Sequence, residues 1–407
     1  MSQQQNLSEY NVCVFEDFKK SYNEKKCRFE LFYKDILIKR YPASDDLKCK
    51  FTLDDILYFV TPTIDVSQFN FSETYTPHSS YFWQQPCCTE LEAYNKHKLI
   101  PITTNFNKFT KTIDTYLGIP WATFIDRKEY IGDLIKALRE IITPLKALVK
   151  SIGYTLNVHT VCQSIHWLRF LDNFAHCGVT DVHACHYEDL LLKKHNPHLL
   201  RIHSWPLYAV NVEDVNRNIG ITYNTEKLLL ASFKGAHMVH YLSDVRLLLN
   251  NAVTRSKKKD DIFVEVNDEW HFNTFVFSQQ VQGKQQINSK EDDIEPYNRL
   301  LCESIFSLCP EGAGINTIRL WESLAVGSIP VLILSRFHIP MLFRLHPELY
   351  KCCVVVFRDK VLDIFSYLRK IPQDVILLKQ TLCMKVYSEI KEQTAFQNQY
   401  NTLFEIY

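Results

Sequence analysis

The chain has 407 residues, 46% of them hydrophobic and 23% charged, which is ordinary globular usage and excludes a fibrous repeat or extended disorder. Lys plus Arg equals Asp plus Glu at 46 each, so no global field exists to hold a polyanion by counterion release, and nucleic acid is excluded as the main partner. At this length two domains with a cleft between them are expected.

The chain opens MSQQQNLSEYNV, with neither a basic n-region nor an apolar h-region, and it contains no run of about 18 apolar residues. A cytoplasmic chain without export signal or anchor is therefore expected. Its 13 cysteines are odd in number and irregularly spaced, which favours free buried thiols over a disulfide framework. Cys87, Cys88, Cys352 and Cys353 read as small apolar fillers.

Short apolar runs alternate with amphipathic stretches along the chain, a rhythm that predicts parallel sheets with helices on both faces. Strands are expected at 55–61 and, after the turn Gly118-Ile119-Pro120, at 121–125. Ile131, Leu134, Ile135, Leu138, Ile141, Ile142 and Leu145 then fall at helical spacing, giving a helix over 129–150 with one buried stripe. A helix is predicted at 166–175, closed by Gly178, and a strand or loop begins at 181–184. Pro206 makes 201–210 an edge strand or linker. The domain boundary is placed at 213–225, giving an N-terminal domain over 1–215 and a second over 216–358 that opens with a strand at 228–233. Within the second, RSKKKDD at 255–261 and a Gln-rich stretch at 278–288 read as solvated surface, and 359–407 reads as mostly helical.

Glycine is rare, 10 in the whole chain, yet Gly312, Gly314 and Gly327 crowd into one window, SIFSLCPEGAGINTIRLWESLAVGSIPVLIL. It reads as a strand at 305–308, a loop at 310–315, a helix capped by Asn316 or Thr317 and closed by Gly327, and a strand at 329–334. This is a βαβ unit. Its glycines let the backbone approach a ligand, and the first free amides of the helix suit a diphosphate. Arg319 and Glu322, three apart on one helix face, fit phosphate and ribose hydroxyls respectively; an intrahelical pair with structural glycines is the other reading.

Strand, Leu-Cys-Pro, Gly-rich loop, Arg-Leu-x-Glu, Gly and Ile-Pro-Val together resemble the C-terminal signature of exostosin-family glycosyltransferases. Trp321 and Ser323 stand where many members carry a smaller apolar residue and Ala. A second matching piece, KLLLASFKGAHMVHYLSDVRLLLNN, is similar to the family's first strand, loop and helix of that domain, with Ser243 as helix cap. Asp268 to Phe272 and Pro296 to Ser304 extend the resemblance over about 222–356. The N-terminal half, through His159 to Gln163, GVTD and PLYAV, looks only weakly like bacterial-type members.

The resemblance implies two Rossmann-like domains facing across a cleft (GT-B), with C-terminal helices, and a nucleotide-sugar donor held by the second domain. It puts Arg319 and Glu322 at the donor, with Lys234, His237 and Arg246 as further candidates for its diphosphate and Gly312, Gly314, Asn316 and Thr317 in the loop around it. An inverting transfer needs a general base from the N-terminal side of the cleft: Asp126, placed after the expected strand, is one candidate, and His186 and Glu188 are rivals. His176, Cys177, His183, Cys185 and His186 carry zinc-type ligands, but the spacing fits no known site, so no metal is expected there. No Asp-x-Asp sequence occurs, so no metal cofactor is expected at the diphosphate. The expected acceptor is a glycan or lipid-linked glycan, with peripheral membrane contact through it. The alternative is a non-catalytic nucleotide-binding partner of an active transferase, and a third reading is a phosphate-using enzyme of the same architecture.

Overall fold

In the computed structural model the described residues form two five-stranded sheets and one of four strands. The structure describes residues 12–15, 18–23, 28–33, 36–42, 88–98, 106–107, 110–127, 131–151, 153–187, 199–213, 226–268, 291–335 and 341–393. The four-stranded sheet is an antiparallel meander of β1 (Val12–Phe15), β2 (Phe18–Asn23), β3 (Arg28–Tyr33) and β4 (Ile36–Pro42). The strand expected at 55–61 and the Gln-rich stretch at 278–288 lie outside the described residues.

The second sheet follows α1 (Cys88–Lys98) and runs in the order β5 (Phe106–Asn107), β6 (Thr112–Tyr116), β7 (Thr155–Cys162), β8 (Asp181–Ala184) and β9 (Arg201–Ser204). All neighbours from β6 onward are parallel. The segment 121–125 is not a strand as expected; it lies in α2 (Trp121–Arg127). A short apolar run reads equally well as buried helix or strand. What decides it is remote: both carboxylate oxygens of the buried Glu90 accept from the Ala122 N–H, at 3.2 and 3.1 Å, and so supply a first-turn amide with a partner. The strand of this unit is β6, and α3 (Ile131–Ser151) follows as the spacing predicted, burying Leu134, Leu138, Ile142, Leu145 and Val149.

Residues 166–175 form a 3-10 turn at Trp167–Phe170 and then α4 (Leu171–His176), ended by Gly178 at φ +85°, a conformation that favours glycine. The chain leaves β9, the sheet edge, through Pro206 and reaches α5 (Val210–Glu213). Most of the boundary placed at 213–225 lies outside the described residues.

The third sheet is parallel throughout, in the order β11 (Ile262–Asn267), β10 (Leu229–Ala236), β12 (Ser304–Pro310), β13 (Ile329–Leu334) and β14 (Val354–Phe357). Its helices are α6 (Val245–Arg255), α7 (Glu291–Glu303), α8 (Ile318–Ala325), α9 (Leu349–Cys352), α10 (Ile364–Leu368) and α11 (Gln373–Gln393). Every residue of β13 is buried, as its unbroken apolar run requires of a strand covered on both faces. Asp244 rather than Ser243 holds the cap position of α6, with no side-chain cap bond, and its carboxylate is drawn instead to Arg358, at 2.7 and 2.6 Å. The RSKKKDD loop is tied down where Arg369 reaches Asp261 at 2.7 and 2.6 Å and Lys258 O at 3.1 Å, and where Arg255 lies 3.6 Å from Asp363.

One core cluster joins the two parallel sheets. Val161 and Cys185 from the second, Trp205 and Leu207 from the connection, and Leu320 and Trp321 from α8 pack together. Each large side chain fully buried there stabilises by about 1.5–3 kcal/mol. Among the described residues no helix is long and apolar enough to cross a membrane.

Candidate active site

The strand order of the third sheet reverses between β10 and β12: the chain goes from β10 outward to β11, then crosses back to β12 and continues to β13 and β14. Connections diverging from two adjacent parallel strands leave a crevice at their carboxyl ends, where open α/β sheets bind ligands. Arg246, from α6, sits at this crevice. Its Nη1 donates to Ala236 O (2.5 Å), its Nε to Glu311 O (3.1 Å) and its Nη2 to Pro310 O (3.5 Å). Arg246 thus clamps the two strand ends, with its guanidinium carbon 4.6 Å from the Tyr241 ring centroid. Burial lowers it only to about 10, so it stays charged at neutral pH. A β-carbon at Gly312 would come within 2.8 Å of Arg246 Nη2, so the residue is glycine because the clamp passes close beneath it.

Arg319 and Glu322 meet at Tyr297 rather than at each other. The Arg319 guanidinium lies over the Tyr297 ring at 4.9 Å and near Phe233 at 5.1 Å, and its Nη2 donates to Lys234 O. The Tyr297 hydroxyl donates to Glu322 Oε2. Glu322 Oε1 accepts from the Asn211 N–H at 3.2 Å and from Asn211 Nδ2 at 2.8 Å. Glu322 is 1% exposed, and burial raises its carboxyl against the opposing pull of Tyr297, Arg319 and Asn211. It is therefore committed to joining α8 to α5 and α7. The Lys234 ammonium lies 3.8 Å from Glu265 at the sheet edge.

The Gly-rich loop also touches the other half of the chain. A β-carbon at Gly314 would overlap His186 Nδ1, and that nitrogen accepts from the Asn316 N–H at 3.4 Å. Asn316 is spent in both directions: its Nδ2 donates to Cys185 O at 2.8 Å and its Oδ1 accepts from Trp321 Nε1 at 2.9 Å. The larger Trp321 is thereby accommodated, as an indole that is both core and hydrogen-bond donor. The Ser323 hydroxyl donates to Arg319 O at 2.5 Å. Thr317 holds the cap position of α8 in extended conformation, with no side-chain cap bond. Burial lowers His186 to about 4, so its ring is neutral at pH 7.

Asp126 does not directly follow a strand; it lies in α2. Glu188 lies outside the described residues. Three buried atoms around the crevice have no hydrogen-bond partner: Arg319 Nη1, His237 Nδ1 and Glu311 Oε1. Glu311, Tyr297 and Asn211 escaped sequence reasoning. Glu311 had a local signal, a carboxylate directly before the Gly-rich loop, whereas Tyr297 and Asn211 reach the site only through tertiary packing.

Residues 184–370 match the family model of the exostosin GT47 domain. That stretch holds β10, β12, α8 and every residue of the crevice. It is an exostosin glycosyltransferase domain. The chain thus carries a glycosyltransferase domain, and its largely parallel sheets with C-terminal helices are the α/β architecture expected. No curated protein matches the chain by sequence. Among solved structures, the pneumococcal O-GlcNAc transferase GtfA in complex with UDP and GlcNAc aligns over 98% of this chain and 82% of its own, at 9% identity and a TM-score of 0.38.

The cysteine and histidine residues at 176–186 do not converge. Cys177 is a buried thiol pushed up to about 12 by burial, Cys185 faces Pro206 O, and His186 faces the exostosin loop. His183 belongs to a polar line across the second sheet: its Nε2 is 3.1 Å from His159 Nδ1, and His159 Nε2 is 2.9 Å from Asp114. His203 stacks on His183 at 4.6 Å and reaches Asp181 at 2.9 Å. Burial alone would raise the Asp181 carboxyl, but His203, Arg201, the charge of His159 and Thr180 hold it well below the usual carboxylate range. Among the described residues no three His, Cys, Asp or Glu side chains are grouped to hold a metal ion.

Proposed function

We propose that the chain transfers a sugar from a nucleoside-diphosphate sugar to a hydroxyl of a glycan or lipid-linked glycan, with inversion at the anomeric carbon. The observation that carries this reading is the set of buried polar atoms left unpartnered at the strand-order reversal, Arg319 Nη1, His237 Nδ1 and Glu311 Oε1. Orphaned groups of this kind are costly in a folded protein, and a polar, anionic ligand supplies what they lack.

In the reaction the acceptor oxygen attacks the anomeric carbon, the bond from that carbon to the β-phosphate oxygen breaks, and the diphosphate leaves with the electron pair. Negative charge grows on the phosphate as the bond lengthens. Arg319 Nη1 would donate to it, and the Arg246 cation would add its field although its N–H groups serve the main chain. Such a preorganised cation is worth most where charge develops. The acceptor proton passes to a base. His186 does not serve in this arrangement, because its Nδ1 lone pair is engaged by Asn316 and its ring is hard to protonate, so the role falls to a carboxylate such as Asp126 or Glu188. With arginines meeting the phosphate, no metal is required. The reading puts the enzyme in the cytoplasm, touching a membrane only through a lipid-linked acceptor.

The test is release of nucleoside diphosphate from a panel of UDP-, GDP- and ADP-sugars, with and without EDTA, by wild type and Arg319→Ala. Release from one donor class that survives EDTA and falls at least about a hundredfold in the variant, as loss of a charge-stabilising donor costs, supports the reading. Binding of nucleotide without release by wild type would point to the non-catalytic partner instead.

A further inference from the structure

We infer that Glu311, and not Glu322, is the carboxylate that accepts hydroxyl hydrogen bonds from the sugar-nucleotide donor. The inference rests on the donor-site reading above and assigns one contact within it.

Glu322 has little left to offer. Its two oxygens already take three hydrogen bonds, from Asn211 N, Asn211 Nδ2 and the Tyr297 hydroxyl, and the residue faces the connection between the halves. Glu311 is in the opposite position. It is 3% exposed, yet its Oε1 has no hydrogen-bond partner, and it forms no ion pair among the described residues. Its main chain is fixed on both sides, the N–H to Ile333 O at 3.1 Å and the C=O from Arg246 Nε at 3.1 Å, so the side chain is held at the end of β12.

An unpartnered carboxylate oxygen shut away from water costs folding free energy and persists where a ligand completes it. Arg246 does not neutralise it by hydrogen bonding, because its N–H groups go to the carbonyls of Ala236, Pro310 and Glu311 itself. That same clamp holds the end of β10 beside it, where His237 Nδ1 is also unpartnered. A carboxylate acceptor and an imidazole nitrogen at the ends of two adjacent strands suit vicinal hydroxyls, each of which both donates and accepts. Donors of this class carry such hydroxyls on the ribose and on the transferred sugar, and the experiment separates the two.

Calorimetric titration would compare wild type, Glu311→Ala, Glu311→Gln, Glu322→Gln and Arg319→Ala. The probes are whichever of UDP, GDP, ADP or CDP binds wild type, its 2′,3′-dideoxy analogue, and its sugar conjugate. If Glu311 meets the ribose, wild type binds the dideoxy analogue about tenfold more weakly or worse, Glu311→Ala no longer distinguishes the two, and Glu322→Gln still does. If it meets the transferred sugar, Glu311→Ala keeps wild-type affinity for the diphosphate and loses about tenfold for the conjugate. The melting temperature without ligand is expected to hold or rise in Glu311→Ala and Glu311→Gln, since a costly group is relieved.

Wild-type affinity of Glu311→Ala for all three probes, or a lower melting temperature for both Glu311 variants, overturns the inference. Binding by wild type that Arg319→Ala loses keeps the donor-site reading intact whatever Glu311 does. Failure of wild type to bind any of the nucleotides takes both down.

Discussion

Arg319 lies over Tyr297, its guanidinium carbon 4.9 Å from the ring centroid, while the hydroxyl of the same ring donates to Glu322 one turn further along α8. The Arg-Leu-x-Glu motif is therefore held together by a third residue. Tyr297→Phe should keep the cation over the ring and remove one donor from a buried carboxylate, costing about 1–2 kcal/mol in urea unfolding with nucleotide affinity little changed. Tyr297→Ala should cost more and also weaken nucleotide binding, because Arg319 loses its support. Equal effects of the two variants on binding would argue against the stacked arrangement.

Gly314 and His186 meet across the two halves. Gly314→Ala should destabilise by about 1–3 kcal/mol through overpacking, and pairing it with His186→Ala should recover part of that loss. The measurement is a double-mutant cycle on the unfolding free energy, with a coupling of at least ~0.5 kcal/mol expected for residues in contact. Strict additivity would mean that the two do not touch.

His186 also sets a pH dependence. Burial lowers it to about 4 in the folded chain, against about 6.5 for a free imidazole, so between these values the unfolded state binds a proton that the folded state does not. Stability is full above about pH 6.5, falls as the pH drops toward 4, and loses nothing more from this source below that. The loss is up to ~3 kcal/mol. His186→Gln should flatten the urea midpoint between pH 7 and 4.5 relative to wild type; an unchanged slope would contradict the assignment.

Arg246 holds two strand ends through one rigid guanidinium, a geometry that an ammonium does not reproduce. Arg246→Lys should cost at least ~2 kcal/mol of stability and lower nucleotide affinity as the crevice loosens. Unchanged stability by thermal denaturation would show that the clamp contributes nothing.

The centre of the C-terminal sheet was legible because β10, β12 and β13 are announced locally, whereas the edge strands β11 and β14 were not read. The βαβ window at 304–334 carries an apolar strand, a Gly and Pro loop, an amphipathic helix, Gly327 at φ +67° and a second strand. Segment 121–125 reads equally as strand because a run this short has no period of its own, and the helix start is supplied with a partner by Glu90, over thirty residues earlier. The site was legible in part for the same reason. Arg246, Gly312 and Arg319 lie in motifs next to the crevice, whereas the hydrogen bonds of Glu322 run to Asn211 and Tyr297, distances in sequence that no spacing rule covers. The metal-like crowd at 176–186 dissolves because its members belong to different elements: His176 ends α4 and Cys177 caps it, His183 lies in β8, and Cys185 and His186 turn to Pro206 O and to the Gly-rich loop.

The central claim is that the crevice between β10 and β12 seats a nucleoside diphosphate. It is tested most directly by thermal shift of wild type and Arg319→Ala with UDP, GDP, ADP and CDP, each with and without chelator. The account predicts a shift by one nucleotide that survives chelation and is lost in Arg319→Ala. No shift with any of the four, or the same shift in the variant, would contradict it.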